Sequence, residues 1–415
     1  MGGKYARELG YDRLYDCVAV ADAEDAPHTI RPSIRNLRTD RLESPLGVLL
    51  DPRDRCRAQF EPARWAAFKA DVGHFRQKLG RRWASVVTDH GYNGTPAWAL
   101  AGKLLASTGP ASDAQILALC LIDPLLLLAA TALVWRAFGW RVLAVALLVF
   151  ATFFPSRFYW TGGSFLRWDW VFCTTAVVCL LRLGRPWLAG AAMGYAALLR
   201  LFPAVMLAGP VFALATTFVR DRQLDRRMLA VLGGAALSAL VILPASTAVV
   251  GRLDAWPACL KNITMHHGET STNRVGLGTI LSFRRSEVGR LMRDNRAIDP
   301  WQAWREAKRE AHARVRIVHV AMILGALVLL ALAVRRAPVW ASPALALLLV
   351  PFATDASSYY YMFVLVVALL YAERPEVGIA ALVMTATTQL VDWAPTAGFT
   401  HLPSSCPPGW TSSTS

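Results

Sequence analysis

The run ILALCLIDPLLLLAATALVW, residues 116–135, contains a single charged side chain, Asp123. An α-helix rises 1.5 Å per residue, so about 20 apolar residues are enough to cross the hydrocarbon core of a bilayer. The run therefore predicts a membrane-spanning helix, and this interpretation extends to the rest of the chain.

Further apolar segments follow this run, and hydrophobic residues make up 55% of the 415 positions while charged residues make up 18%. The further segments are 142–158, 165–182, 187–199, 203–219, 229–249, 317–334, 339–354, 358–371 and 377–391. Together they predict an all-α polytopic membrane protein, a bundle of about nine or ten transmembrane or re-entrant helices.

The positive net charge of the chain is explained by Arg residues in the loops between membrane helices. A formal net charge of +15 would suggest nucleic acid in a soluble domain. Here the Arg residues lie in loops between apolar segments, where they set helix orientation and meet anionic lipids. We therefore expect membrane lipids, and no nucleic acid, as partners. The sequence contains no P-loop, dinucleotide fingerprint, HExxH motif or nucleophile elbow, so soluble-enzyme chemistries have no recognisable motif.

Short Arg-rich connections indicate the orientation, because such connections stay on the cytoplasmic side. The two short segments that flank Pro203 then form a hairpin. The resulting parts are an outer-face region, a first membrane bundle, an outer-face loop, a second helix group and a disordered tail, at 1–112, 113–249, 250–316, 317–393 and 394–415. An outer-face N-terminal region needs a helix that carries it across, so we expect a transmembrane helix upstream of Met1.

The N-terminal region contains one segment with helical periodicity. Residues 62–80 place apolar side chains three or four positions apart, with Pro62 in the first turn, which predicts an amphipathic helix. The helix packs on a small domain of its own or lies in the membrane interface, and both interpretations stay open. Cys17 and Cys56 can pair if this region lies outside the cytoplasm.

Polar residues collect at the expected outer face, and polar groups at membrane depth often mark a cavity or a substrate path. The candidates for catalysis are Asp89 and Asp169. The candidates for substrate binding are Tyr92, Asn93, Arg167, Arg200, His266, His267, Asn273, Arg274, Asp355 and Tyr359. Structural roles stay open as well: charges can reach the membrane interface, and Asp123 can satisfy backbone groups disturbed by Pro124.

The sequence identifies no cofactor. His266 and His267 are adjacent, which is poor spacing for two ligands of one metal on a regular element. The nearby carboxylates and histidines form no recognisable ligand set, and metal dependence stays open. Asn262, Ile263 and Thr264 match a glycosylation sequon, a three-residue pattern of low specificity.

Several motifs, in order, resemble the GT-C superfamily of polyprenol-phosphate-dependent glycosyltransferases, in particular glycosyltransferase family 87. GRPWLAGAAMGYAALLRLFPAVMLAGPVFAL, residues 184–214, resembles the family's basic turn, small-residue helix and cation shortly before Pro, with Arg200 where Lys is usual. TGGSFLRWDW carries Gly163 where the family has Gln. TNRVGLGTIL, DASSYYYMFVLVVALL and DHGYNGTPAWALAGKLLAS resemble the Asn-rich motif, the late Tyr-rich helix start and the end of the first outer loop.

The resemblance implies a GT-C bundle with a catalytic pocket at the outer face of a bacterial plasma (inner) membrane. It implies inverting transfer of a hexose, commonly mannose, from a polyprenyl-phosphate donor to a lipid or glycan hydroxyl. Arg200, Arg167 or Arg274 would neutralise the phosphate. The family's general base is a carboxylate in the first outer loop, which we expect upstream of Met1, with Asp89 the best remaining candidate and Asp169 and Asp355 behind it.

Two other functions stay open. A transporter or lipid flippase is also a polytopic bundle with buried charges, but transporters often have related halves with broken helices, and only one Pro-broken hairpin is recognisable here. An inactive truncated relative is the second alternative, because a base upstream of Met1 would leave the chain without its catalytic carboxylate.

Overall fold

The computed structural model of the chain describes residues 1–51, 53–157, 164–268 and 273–393. This part of the chain is mostly helical, with two small two-stranded sheets. The helices that are long and apolar enough to cross a membrane are Asp113–Phe138, Phe202–Asp221, Arg226–Val250 and Gln302–Val334. The architecture is therefore compatible with the predicted all-α integral membrane protein.

Shorter apolar helices accompany these four. They are Trp140–Thr152, Pro186–Leu199, Val339–Ala353, Ser358–Ala372 and Pro375–Val391, and the buried helix Asp169–Arg182 lies among them. The helix predicted over 142–158 ends at Thr152, because Pro155 lies in a 3₁₀ turn directly after it and cannot donate a helical hydrogen bond. The helix predicted from residue 165 begins only at Asp169.

The surface of the long helices is apolar. Leu125, Leu128, Leu240, Ile317 and Leu329 are each more than half exposed. Large apolar side chains exposed in such number would promote aggregation in water, whereas lipid tails would cover them.

The N-terminal region folds around an apolar core of its own. Its elements are the helices Ala6–Leu9, Leu14–Asp25, Leu46–Leu49, Pro62–Leu79 and Trp83–Val86, and the antiparallel strands Ile34–Asn36 and Arg41–Glu43. The next helix, Pro96–Ala106, packs instead against Arg226–Val250. Trp65, Phe68 and Val72 of the predicted amphipathic helix are buried in this core with Tyr5 and Leu9. The helix is thus confirmed, and its apolar face packs on its own domain rather than on a membrane surface.

A disulfide fastens this domain. Cys17 and Cys56 are bonded, with their Cα atoms 5.2 Å apart and a separation of 39 positions in the sequence. Closing a loop of that length stabilises the folded state by about 4 kcal/mol in the chain-entropy model. The pairing suggested by the sequence is confirmed.

The outer-face loop predicted at 250–316 contains regular structure. Its helices are Ala255–Gly268, Leu277–Leu281 and Gly289–Met292, and the helix Gln302–Val334 begins within it. Its strand Arg274–Val275 pairs with Ala356–Ser357 of the second helix group. The loop is therefore folded, and it packs against Arg226–Val250, Gln302–Val334 and the second helix group.

Close helix packing positions the segment around Arg200. A Cβ atom on Gly190 would lie 2.0 Å from the carbonyl oxygen of Val231, and one on Gly194 would lie 2.6 Å from that of Ala235. Only residues without a side chain permit this approach, which is the usual basis of tight packing between membrane helices. The helix Pro186–Leu199, which leads into Arg200, is thereby fixed against Arg226–Val250.

Candidate functional site

The loop 88–95 joins the N-terminal domain to the apolar helices. Thr95 accepts a hydrogen bond from the backbone N–H of Trp98 at 3.2 Å, and its hydroxyl donates to the carbonyl oxygen of Leu199 at 3.4 Å. The indole N–H of Trp98 donates to the carbonyl oxygen of Leu166 at 2.9 Å. The end of the loop and the first turn of the helix Pro96–Ala106 are therefore held against two segments of the membrane bundle, each directly before a candidate arginine.

Arg200 lies at the break between two apolar helices. One guanidinium nitrogen donates to the carbonyl oxygen of Leu199 at 3.1 Å, whereas the buried Nε has no hydrogen-bond partner among the described residues. A buried donor without a partner costs about 1–3 kcal/mol, which a bound anion would recover. The groups that interact with its charge are Tyr360, Asp169, Tyr359 and Tyr92.

Tyrosine rings line the same region. The rings of Tyr359 and Tyr360 have centroids 4.7 Å apart, and Phe202 lies 5.1 Å from Tyr360. The guanidinium carbon of Arg167 lies 5.7 Å from the centroid of Tyr359, a cation–π contact. Arg167 and Arg200 therefore both approach Tyr359.

Asp123 positions the segment that carries Arg167. Its buried carboxylate accepts hydrogen bonds from the backbone N–H groups of Arg167 at 2.9 Å and of Trp168 at 3.2 Å. Asp123 thus satisfies backbone groups of a different segment, not those of its own helix beside Pro124.

Asp169 is the first residue of the helix Asp169–Arg182. It is buried, its carboxylate accepts from the backbone N–H of Trp170 at 2.8 Å, and it interacts with the charges of Arg200 and Arg167. Arg167 and Asp169, which are two positions apart in the sequence, thus both belong to the region around Arg200.

Two motifs that are far apart in the sequence meet in a short ladder. Arg274 and Val275 pair with Ser357 and Ala356 in antiparallel register, and the backbone continues this contact at Asn273. The ladder places the Asn273–Arg274 motif beside the start of the Tyr-rich segment.

Asp355 has structural partners. Its carboxylate accepts from the backbone N–H of Thr279 at 2.9 Å and from the Thr279 hydroxyl at 3.1 Å. Nε2 of His312 lies 3.4 Å from the second carboxylate oxygen. A Cβ on Gly278 would lie 2.6 Å from that oxygen, so a side chain at this position would have to displace the Asp355 carboxylate. Asp355 thereby joins the helix Leu277–Leu281 to the long helix that carries His312.

His266 belongs to a cluster with Asp40 and His90. Nδ1 of His90 lies 2.8 and 2.9 Å from the two carboxylate oxygens of Asp40, and Nδ1 of His266 lies 3.6 Å from one of them. Asp40 is only 2% exposed. Burial alone would raise the pKa of Asp40, but the interactions with His266 and His90 and the charge of Arg35 outweigh it and lower that pKa. Asp40 is therefore an ionised carboxylate between two imidazole rings.

The candidate base Asp89 is exposed, and the carboxylate beside His90 is that of Asp40. His90 lies within the DHGYNGTP stretch that the sequence singles out, next to Asp89. Asp40 lies in no recognisable motif, so nothing local in the sequence indicates its role. A catalytic role of Asp89 stays a prediction.

Asn93 links this cluster to the helix Ala255–Gly268. Its side-chain N–H donates to the carbonyl oxygen of His90 at 3.3 Å, and its side-chain oxygen accepts from the side-chain N–H of Asn262 at 3.0 Å. Asn262 is 6% exposed, so the glycosylation sequon suggested by the sequence is not accessible in the folded chain. Arg274 donates to the backbone carbonyl of His266 and ties the end of the same helix.

A cavity of about 440 Å³ lies between the N-terminal domain and the helix Ala255–Gly268. Tyr11, Tyr92, Arg252 and Asn262 contribute to its lining. Burial raises the pKa of Tyr92, and its hydroxyl is buried without a hydrogen-bond partner among the described residues. The phenol therefore stays protonated at neutral pH, where its O–H can donate to a ligand.

Some predicted features lie outside the described residues. They are Gly163, the side chain of His267 and the tail 394–415. Of the remaining candidates, the structure brings Tyr92, Arg167, Asp169, Arg200 and Tyr359 together, while Asn93 and His266 lie in the neighbouring Asp40 cluster.

Comparison with models of protein families, with curated proteins and with solved structures finds no match. The functional interpretation therefore depends on the residues of the site.

Proposed function

We propose that the chain is an inverting GT-C-type glycosyltransferase. It moves a hexose, with mannose as first candidate, from a polyprenyl-phosphate donor to a hydroxyl of a lipid or glycan acceptor. It is a multi-pass protein of a bacterial plasma membrane, with about nine or ten transmembrane or re-entrant helices and a site that faces outward. The observation that carries the proposal is Arg200, a half-buried cation whose buried Nε has no hydrogen-bond partner among the described residues, at the place where the sequence candidates converge.

The donor needs both an apolar and a cationic environment. Its tail is a hydrocarbon that the exposed apolar helices of the bundle can meet in the lipid phase. Its phosphate departs with negative charge, which a fixed cation stabilises as the charge develops. Arg200 and Arg167 supply two guanidinium groups near Tyr359, and the guanidinium fork matches phosphate oxygens.

The acceptor hydroxyl needs a general base. Asp169 is a buried carboxylate that interacts with both Arg200 and Arg167, so an acceptor beside it would lie close to the phosphate site. Asp89, in the region expected to hold the family's base, is the second candidate. Asp169→Asn and Asp89→Asn distinguish the two, because the amide cannot accept a proton and only one variant should lose transfer.

The test uses the purified full chain in lipid nanodiscs with radiolabelled mannosyl polyprenyl phosphate and a bacterial lipid extract as acceptor. Donor binding is measured separately with a photoreactive polyprenyl phosphate. We expect Arg200→Ala to lower transfer by about 100-fold, the usual cost of removing one group that stabilises transition-state charge. Arg200→Lys keeps the charge and should retain part of the activity.

The matched control is Arg182→Ala. Arg182 ends the helix that Asp169 begins, and its guanidinium lies 5.6 and 5.4 Å from the ring centroids of Phe138 and Trp340. The Arg182→Ala variant removes one arginine at the opposite end of this helix and should change the rate of transfer less than twofold. Full activity in Arg200→Ala, or a wild-type chain that neither transfers sugar nor takes up the photoprobe, contradicts the proposal.

A further inference from the structure

Three ligand-type side chains from three separate segments meet outside the Arg200 region. One candidate ligand atom each from Asp40, His90 and His266 lies within 4.8 Å of the others. Asp40 follows the first strand of the N-terminal hairpin, His90 lies in the loop 88–95, and His266 lies in the last turn of the helix Ala255–Gly268. The three segments share no motif, so the arrangement arises only from their packing.

Arg35 holds Asp40 in position. One guanidinium nitrogen of Arg35 donates to the backbone carbonyl of Asp40 at 2.7 Å and lies 3.6 Å from its carboxylate. Nε of Arg35 donates to the carbonyl oxygen of Thr88 at 2.9 Å, which ties the hairpin to the loop that carries His90. Asp40 also has a φ of 54°, a left-handed conformation that non-glycine residues rarely adopt and that occurs often at functional sites.

The two histidines are also positioned by neighbours. Asn93 bonds to the carbonyl oxygen of His90 and to Asn262, so the loop and the helix Ala255–Gly268 keep a fixed separation. Nε2 of His266 is buried and has no hydrogen-bond partner among the described residues. An ion pair between Asp40 and one histidine would need no second ring, whereas a metal ion uses both.

We propose that Asp40, His90 and His266 bind a first-row divalent cation, with Zn²⁺ as first candidate. Two imidazole nitrogens and one carboxylate oxygen suit Zn²⁺ and its neighbours rather than Ca²⁺ or Mg²⁺, which prefer all-oxygen sites. Three protein ligands leave the fourth tetrahedral position for water or for an oxygen of a ligand. The cation would clamp the N-terminal hairpin, the loop 88–95 and the helix Ala255–Gly268 together.

The two contacts of Asp40 require only small movements, while the ligand atoms of His90 and His266, which lie within 4.8 Å of each other, would approach by up to about 1.5 Å. Ligands at about 2.0–2.1 Å from a tetrahedral ion lie about 3.3 Å from one another. The contact between Asp40 and His90 at 2.8 Å would open, and the contact between Asp40 and His266 at 3.6 Å would close, each by less than about 0.6 Å. Such shifts lie within the reach of side-chain rotation.

Metal binding can be tested without any substrate, so its outcome is independent of glycosyl transfer. The full chain in detergent is stripped with chelator, loaded with Zn²⁺ or Co²⁺, and its metal content is measured by mass spectrometry. The affinity is measured by competition with a chromophoric chelator. We expect one equivalent of Zn²⁺, a Co²⁺ spectrum typical of tetrahedral coordination, and X-ray absorption that indicates two imidazole ligands.

The variants Asp40→Asn, His90→Gln and His266→Gln should each weaken Zn²⁺ binding by at least about 10-fold. His312→Gln is the matched control. His312 also lies beside a carboxylate, that of Asp355 at 3.4 Å, but the described residues place no third metal ligand with this pair. It should bind like the wild type. Absence of bound Zn²⁺ in the wild type, binding that all three variants retain, or an absorption spectrum without imidazole overturns the proposal.

Discussion

Gly190→Ala should destabilise the membrane bundle although it adds only one methyl group. The new Cβ would lie 2.0 Å from the carbonyl oxygen of Val231, whereas ordinary C···O contacts are about 3.3 Å or longer. The helix Pro186–Leu199 would therefore have to move by about 1.3 Å from Arg226–Val250. The obstructing atom belongs to the backbone, so no side-chain rotation can relieve the contact.

The expected magnitude combines two opposing effects. Overpacking costs about 1–3 kcal/mol, or more where backbone must move. Alanine gains up to about 1 kcal/mol over glycine in a helix interior. The net expectation is a loss of about 2 kcal/mol in the free energy of unfolding. Since Arg200 directly follows this helix, labelling by the polyprenyl phosphate photoprobe should fall as well.

The assay is reversible unfolding of the chain in mixed micelles, followed by tryptophan fluorescence. Gly325→Ala is the matched control, because Gly325 lies in the apolar helix Gln302–Val334 with no atom within 4 Å of its Cβ position. It should leave stability unchanged or raise it slightly. Equal stability of Gly190→Ala and Gly325→Ala would refute the reasoning, because it would mean that the two helices are not in contact through Gly190.

Two further predictions concern the N-terminal domain. Replacing Cys17 and Cys56 by Ser should lower the free energy of unfolding of this domain by about 4 kcal/mol, measured by hydrogen exchange. A reducing agent should not lower the stability of this variant further. An exchange rate equal to that of the wild type would contradict the prediction. Burial alone would raise the pKa of Asp71, but hydrogen bonds from the backbone N–H of Ala111 and from Lys4 outweigh it and lower that pKa. Its ionised form therefore stabilises the fold at pH above about 4, the ordinary carboxyl pKa, and this contribution is lost as pH falls further. Asp71→Asn should be less stable than the wild type at pH 7 and should lose less stability between pH 5 and pH 3. Thermal unfolding at several pH values measures this, and the same dependence of stability on pH in variant and wild type would argue against the prediction.

The helices could be predicted from the sequence because their signals are local. The apolar run at 116–135 lies within the span Asp113–Phe138, and the spacing at 62–80 matches the helix Pro62–Leu79. Boundaries shifted where proline intervenes, as at Thr152 before Pro155. Whether the amphipathic helix lies on its own domain or on the membrane depends on the rest of the domain, which periodicity does not describe.

The candidate site was predicted in part. Arg167, Asp169 and Arg200 were singled out because charges within apolar segments are costly, and the structure brings all three together. Asp40 could not be found this way, since an aspartate in a polar region carries no such cost. Asp355 looks like a site residue in the sequence, but its contacts with Thr279 and His312 give it a structural role as well.

The sequence alone determined that this chain is helical and apolar enough to enter a membrane, because the length and hydrophobicity of each run are properties of neighbouring residues. Tertiary structure alone decided that Arg200 lies among Tyr92, Asp169 and Tyr359. It alone placed Asp40 beside His90 and His266. The physical reason is distance: charge neutralisation and cation binding depend on separations of a few ångströms between side chains from remote segments, and only the packing of those segments sets such separations.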